Sequence, residues 1–290
     1  MSSLLRVLFR MTQKLLQILP GGYYISRSRI VKGLYRYLTR KFRRKIVKIF
    51  GNTMYLDPED NLELSFKGVH EPLTTRIFQK EINSGDTVLD IGAHIGYYTL
   101  ISAKIIGESG KVFSFEANPA NYAILKKNIE VNGYHNVTAI ETAISDFQGN
   151  AKLFFERSSN TRWSSIYNIH GEGKYIDVGV STVDEILKDY TGSINFIKLD
   201  IEGAEMAALR GLTNILNKNR EIKIVVEFRP SILIRAGIVP QEFLDYFATN
   251  GFQLFYADEV HDQILPAGQE EIIKFCDKYL AANLLCKRVK

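Results

Sequence analysis

The sequence predicts an α/β fold, a Rossmann-like and mostly parallel sheet with helices on both faces. Three observations carry that expectation. From about residue 83 onward, short continuous apolar runs alternate with segments of helical period. One of these runs, 88–91, ends at two glycines four apart, Gly92 and Gly96, and a helical segment, 97–106, follows at once. Near the end two further strand-like runs, 252–256 and 282–286, flank a helical segment, 269–278, as a closing antiparallel pair would.

The glycine turn points to a ligand. A buried strand, a tight turn and a helix place unpaired N–H groups at the carboxyl edge of a parallel sheet. Gly92 and Gly96 allow a close approach to the main chain. The spacing Gly92-Ala93-His94-Ile95-Gly96 departs from the usual dinucleotide pattern, and Asp90 stands two residues before the first glycine. A carboxylate there repels a pyrophosphate and favours a cationic ligand. S-adenosylmethionine carries an ammonium, a sulfonium and a ribose diol. Glu116, at the end of the strand 111–115 and twenty positions after Gly96, is placed to accept hydrogen bonds from such a diol.

Taken in order, residues 3–19 form an amphipathic helix, with Arg6, Arg10 and Lys14 on one stripe and Leu4, Leu5, Leu8 and Leu15 opposite. Its charges interrupt any membrane span, but an interfacial helix fits, as does docking on the core or a partner. Pro20-Gly21-Gly22 ends it, and 27–48 is a basic helical stretch. Strands are expected at 46–50, 53–56 and 62–66, then a helix from Glu71-Pro72 to about Ile82. The domain division that follows is a basic arm, 1–45, and a catalytic-type domain, 46–290, whose Rossmann-like core begins at 83. Pro119 opens a helix ending at Asn132-Gly133, and strand three spans 137–144. An inserted strand, 151–155, precedes a polar segment, 157–175, of the length that lids and binding loops have. Thr182 and Glu185 make a capping box. Strands at 194–199 and 222–228 alternate with helices at 204–216 and 240–250.

The chain of 290 residues is 46% hydrophobic and 24% charged, an ordinary globular composition. Two cysteines, Cys276 and Cys286, make neither a disulfide framework nor a metal spacing and fit a reducing compartment. No two histidines have ligand spacing, so no structural metal is expected. The net charge of +5 divides unevenly: residues 1–56 hold thirteen Lys and Arg and no acid, leaving 24 basic and 32 acidic residues, a net of −8, in the rest. Such an arm suits an anionic surface, lipid or nucleic acid. The expected location is the cytoplasm, with 3–19 a candidate peripheral contact at the inner face of the membrane.

Three stretches carry a family resemblance: Asp90-Ile-Gly-Ala-His-Ile-Gly-Tyr-Tyr-Thr-Leu, Phe115-Glu116-Ala-Asn118-Pro119, and Phe196-Ile-Lys-Leu-Asp200-Ile-Glu202-Gly203-Ala-Glu205. With Gly68-x-x-Glu71 and Asn283-Leu-Leu-Cys286, the chain from about Asn52 to Arg288 resembles the FkbM-type methyltransferases. The resemblance implies a class I methyltransferase fold, a seven-stranded sheet ending in an antiparallel hairpin, with S-adenosylmethionine across its carboxyl edge. It also implies O-methylation of hydroxyls, often on sugars or secondary metabolites. The family usually has asparagine where this chain has His94. The arm lies outside the resemblance.

For the cofactor, the expected residues are Asp90 toward the ammonium, Gly92, His94 and Gly96 in the turn, and Glu116 on the ribose, with Asn118 ordering that turn. Asp146 is a candidate for the adenine amine or a turn former before Gly149. For catalysis, Asp200, Glu202 and Glu227 are the candidates in that order, as acids able to take an alcohol proton or position hydroxyls. Glu205 reads equally as a helix N-terminal charge. Lys198 and Glu227 are polar within apolar strands and either pair or line the crevice. The acceptor expected is a small molecule, glycan or lipid-linked sugar. Nucleic-acid bases are disfavoured, since the turn reads Asp200-Ile-Glu-Gly and both cysteines lie far from it. Two other readings stay open: an NAD-dependent oxidoreductase, and a non-enzymatic surface-binding protein with a vestigial fold.

Overall fold

The protein is described by a computed structural model over residues 43–157, 160–169, 171 and 174–288. The amphipathic segment 3–19 and the basic stretch up to residue 42 lie outside those residues. An antiparallel hairpin, β1 (Ile46–Ile49) and β2 (Asn52–Tyr55), leads in. The third strand expected at 62–66 is instead a short helix, α1 (Leu64–Lys67). The Asp60 carboxylate accepts from the N–H groups of Leu64 and Ser65 at 2.9 and 3.0 Å, which satisfies a helix start and denies the segment a strand ladder. Helix α2 (Pro72–Glu81) then delivers the chain to β3 (Thr87–Ile91).

Every residue of β3 is buried, as a strand covered on both faces requires. Helix α3 (Tyr97–Ile106), β4 (Lys111–Glu116), α4 (Pro119–Val131) and β5 (Val137–Glu141) follow. The strand expected over 137–144 is two. At Thr142 the chain leaves the main sheet, and β6 (Ala143–Ile144) joins a second, four-stranded sheet with β7 (Gly149–Arg157), β8 (Asn160–Ser165) and β9 (Lys174–Ser181), in the order β6-β9-β7-β8. Thr142 holds the crossing: its N–H donates to the Glu116 carbonyl and its hydroxyl to that of Gly179. Much of the expected loop 157–175 is therefore strand.

After α5 (Val183–Ile186) the chain returns to the main sheet in β10 (Phe196–Leu199). The helix expected over 204–216 is broken into α6 (Glu205–Arg210) and α7 (Thr213–Lys218) at Gly211, whose Cα packs so closely on Ser145 that an added Cβ would lie 2.1 Å from its carbonyl oxygen. Strand β11 (Lys223–Phe228), helices α8 (Pro230–Arg235) and α9 (Pro240–Thr249), β12 (Phe252–Asp258), β13 (Gln263–Pro266), α10 (Gln269–Tyr279) and β14 (Ala282–Arg288) complete the chain. The main sheet has eight strands in the order β13-β12-β14-β11-β10-β3-β4-β5. The expected seven are present, and β13 adds an edge strand paired antiparallel to β12. Strands β3, β4, β5, β10 and β11 are parallel, and β14 inserts antiparallel between β11 and β12.

Alternation along the strands sorts the core. Leu89, Ile91, Phe113, Ile197 and Leu199 pack to one side, under α5, α6, α7 and α9. Val88, Val112, Phe196 and Val225 face the other, under α2 and α3. The lead-in hairpin is tied down by α4: Asn128 and Asn132 accept from the N–H groups of Tyr55 and Thr53 at 2.7 and 2.8 Å, and Asn128 Nδ2 donates to Ile95 O at 2.8 Å.

The two signature glycines serve this packing. A Cβ on Gly92 would sit 2.0 Å from the Asp200 carbonyl oxygen, while one on Gly96 would meet the Leu125 side chain at 2.7 Å. Both have positive φ, as does Gly133, which has open space around it. Comparing Gly92→Ala with Gly133→Ala in urea unfolding therefore isolates the clash. Gly133→Ala is expected to cost about 1 kcal/mol for its left-handed backbone, and Gly92→Ala about 3 kcal/mol or more.

Candidate active site

The chain order reverses at β3: β4 and β5 lie to one side of it, β10 and β11 to the other. A crevice opens outside the carboxyl ends at such a point. The space between its walls, counted to the open mouth and including solvent there, is about 970 Å³. Gly92, His94, Glu116, Asp200, Glu202 and Glu227 line it, with His70, Glu71, Tyr98, Asn121 and Lys198.

Its floor is a row of polar residues. Strand register sets Ser114, Asp90 and Lys198 side by side, on the sheet face under α3. Asp90 is fully buried, and its Oδ2 accepts from Thr99 Oγ1 at 2.6 Å, while Oδ1 receives no hydrogen bond and lies 3.6 Å from Lys198 Nζ. Lys198 Nζ also donates to the Gly92 carbonyl at 2.7 Å and stands 3.5 Å from Asp200 Oδ2. Burial alone would lower the Lys198 pKa, but Asp200, Asp90, Glu71 and Glu116 outweigh it and raise it. Lys198 is thus a fixed cation joining the β3 and β10 turns.

At the end of β4, Glu116 closes the turn after the glycines. Its Oε2 accepts from the His94 N–H at 2.7 Å and its Oε1 from the Asn118 N–H at 2.9 Å. Burial lifts its pKa against those donors. His94 holds a left-handed conformation, φ 51°, that aims this N–H. Asn118 accepts from Ala120 N and caps α4, behind the crevice wall. Asp90 and Gly96 likewise support the site from behind. Asp146 lies off the crevice, 3.8 Å from Arg210.

The catalytic candidates converge. Oxygens of Asp200, Glu202 and Glu227 lie within 4.8 Å of one another. Arg229, which the sequence reading missed, pairs with Glu202 at 3.1 Å and with Glu227 at 2.7 Å. Its only sequence signal is a position two residues beyond Glu227. Burial, then the charges of Asp200 and Glu202, push the Glu227 carboxyl well above the ordinary range, with Arg229 opposing. Lys198 and Glu227 both line the crevice, each with a different partner. Glu205 is structural: its carboxylate accepts from Ile201 N at 3.0 Å and Gly203 N at 2.8 Å and shapes the turn that carries Glu202. From the expected loop, Ser164, Ser165 and Ile166 also line the crevice.

This topology and crevice define a class I methyltransferase fold. The methyltransferase FkbM domain matches residues 90–254, more than half of the chain, and the protein belongs to that family. Among relatives, a methyltransferase 1 of Beauveria bassiana is 26% identical over 184 residues, 55% of this chain and 72% of that protein. The hexuronic acid methyltransferase AglP of Haloferax volcanii is 25% identical over 167 residues, 58% of this chain and 63% of that one. A protein-L-isoaspartate O-methyltransferase of Methanococcoides burtonii matches over 60 residues at 38%, which is 21% of this chain and 30% of that one. Among solved structures, an FkbM methyltransferase of Methylobacillus flagellatus gives a TM-score of 0.43 at 12% identity, covering 89% of this chain and 59% of that one. The chain is an S-adenosylmethionine-dependent methyltransferase, which sets aside the oxidoreductase reading. Its residues fit that cofactor. Asp90 keeps a buried carboxylate oxygen without a hydrogen-bond donor beneath the turn, and Glu116 presents a buried acid at the adjoining strand end. Gly92, His94 and Glu116, which line the crevice, would hold it, with Asp90 supporting the turn from beneath.

Burial raises the Glu205 pKa from 4.5 to about 8. The folded state therefore binds this proton more tightly than the unfolded one, so Glu205's contribution to stability is present below about pH 4.5 and fades as pH rises through about 8. Glu205→Gln is expected to flatten the fall in Tm over that interval, with a lower Tm at acid pH, where one N–H donor loses its acceptor, and with that deficit disappearing as pH rises through about 8. An unchanged pH profile of Tm would contradict this assignment.

Proposed function

We propose that the protein methylates a hydroxyl group of a sugar, glycan or lipid-linked small molecule. The observation that carries this reading is the convergence of Asp200, Glu202 and Glu227 in the crevice that also holds the glycine turn. When bound, S-adenosylmethionine supplies an electrophilic methyl group and a neutral thioether leaving group. The chain's own residues orient the acceptor and take its proton. Asp200, partly open to solvent and held at 3.5 Å by Lys198, accepts the hydroxyl proton as transfer proceeds. Glu202 and Glu227, fixed by the Arg229 fork, hold neighbouring hydroxyls by hydrogen bonds. AglP, whose name describes a hexuronic acid methyltransferase, supports a sugar acceptor.

In this reading the basic arm brings the domain to an anionic surface, with 3–19 as a peripheral contact at the inner face of the membrane. No helix among the described residues is long and apolar enough to cross a membrane.

The test is transfer of labelled methyl from S-adenosylmethionine to a panel of glycans and glycosides. Asp200→Asn is expected to lower kcat roughly a hundredfold or more, with cofactor affinity within about threefold of wild type. Because Glu227 sits high, a rate that needs its ionised form climbs with pH above the usual carboxylate range, and Glu227→Gln should remove that limb. Label appearing only on amines or protein carboxyls, or a full rate in Asp200→Asn, would refute the hydroxyl reading.

A further inference from the structure

Glu71 lies outside the matched domain, yet its side chain forms part of the crevice. Its backbone is held left-handed, φ 42° and ψ 74°, immediately before Pro72. A non-glycine residue in that region is strained, and its surroundings must impose it. They do so from three directions. The Thr75 hydroxyl donates to the His70 carbonyl at 2.7 Å, and the Tyr97 hydroxyl accepts from the His70 N–H at 3.2 Å. The Glu259 carboxylate, from the turn after β12, accepts from the N–H groups of Leu73 and Thr74 at 3.0 Å. Asn283 of β14 donates to Thr74 Oγ1 at 3.1 Å. Segments on both sides of the matched domain thus clamp residues 70–74 onto the first turn of α3.

The clamp aims a carboxylate. Glu71 Oε2 accepts from the Tyr98 hydroxyl at 2.9 Å, and Oε1 lies 3.5 Å from His70 Nε2. The Tyr98 ring is stacked on Phe78, with centroids 4.3 Å apart, so its hydroxyl is a rigid support. Glu71 lines the same crevice as Lys198, at the β10 end, and Glu227, at the β11 end. Glu116 serves the β4 end.

We infer that Glu71 is a specificity residue for the charge of the cofactor: it favours the sulfonium of S-adenosylmethionine over the neutral thioether of S-adenosylhomocysteine. Both molecules carry the same ammonium, carboxylate, ribose and adenine, so their affinity ratio isolates the sulfonium charge. Once the methyl group leaves, that attraction ends and release of the product is favoured. The inference rests on the cofactor assignment and is independent of the acceptor.

The experiment is calorimetric titration of wild type and Glu71→Gln with each of the two ligands. The expected result is a roughly tenfold loss of S-adenosylmethionine affinity in Glu71→Gln, with S-adenosylhomocysteine changed less than about twofold. Equal losses for both ligands would mark Glu71 as structural and overturn the inference, as would no change in either. If Glu71→Gln does not fold, Tyr98→Phe carries the test, because it keeps the stacked ring and removes only the supporting hydroxyl. An unaltered ratio in that variant refutes the inference. A wild-type protein that binds neither ligand refutes the cofactor assignment and the inference with it, whereas absence of methyl transfer to sugars leaves the ratio to be read as before.

Discussion

The buried Lys198 ammonium holds the site together. Three oxygens, from Asp90, the Gly92 carbonyl and Asp200, lie within 3.6 Å of it. Without that cation, two carboxylates on neighbouring parallel strands would face each other at the sheet edge, and at least one would have to be neutral. With it, the β3 turn and the β10 turn are drawn together. The contact is close enough that only glycine fits at position 92. The geometry of the glycine turn is thus set as much by the strand next to it as by any ligand. The same ion pairs tie the floor beneath the glycine turn to Asp200 at the end of β10.

Around this centre the charges are separated by environment. Arg229 gathers Glu202 and Glu227, while Lys198 gathers Asp90 and Asp200. Asp200 is the most open of the catalytic candidates, and Glu227 is held toward its protonated form by burial and by its acidic neighbours. Environments that push like groups apart in this way are how a site assigns distinct proton roles to chemically similar residues. The second sheet and the clamp on residues 70–74 then supply walls from outside the parallel core.

Much of this was legible from the chain. Continuous apolar runs identified the parallel strands, and the spacing of Asp90, Gly92, Glu116 and Asp200 located one crevice, because strand ends in this topology must share an edge. What escaped the sequence was in part local side-chain capping and hairpin pairing and in part contact between distant segments. The Asp60 cap that turns 62–66 into a helix is a side-chain effect that competes with strand patterning. Strand β8 is a polar edge strand in a local hairpin with β7, which apolar patterning does not reveal, and the bend at Thr142 depends on Glu116 and Gly179, which lie far along the chain. Gly96 reads like a ligand contact but accommodates Leu125, and Asp146, which reads as an adenine candidate or a turn former, lies 3.8 Å from Arg210. Glu71 was visible as part of a motif, but its role needed the left-handed turn and the Glu259 cap, 188 residues further along.

The central claim is that this crevice binds S-adenosylmethionine with Glu116 as its acid at the β4 end. Calorimetric titration of the purified protein with S-adenosylmethionine, with NAD as the control ligand and Glu116→Ala as the control variant, tests it most directly. The account predicts roughly micromolar binding of S-adenosylmethionine, none of NAD, and loss of binding in a folded Glu116→Ala protein. Saturable NAD binding with no response to S-adenosylmethionine, or undiminished S-adenosylmethionine affinity in Glu116→Ala, would contradict it.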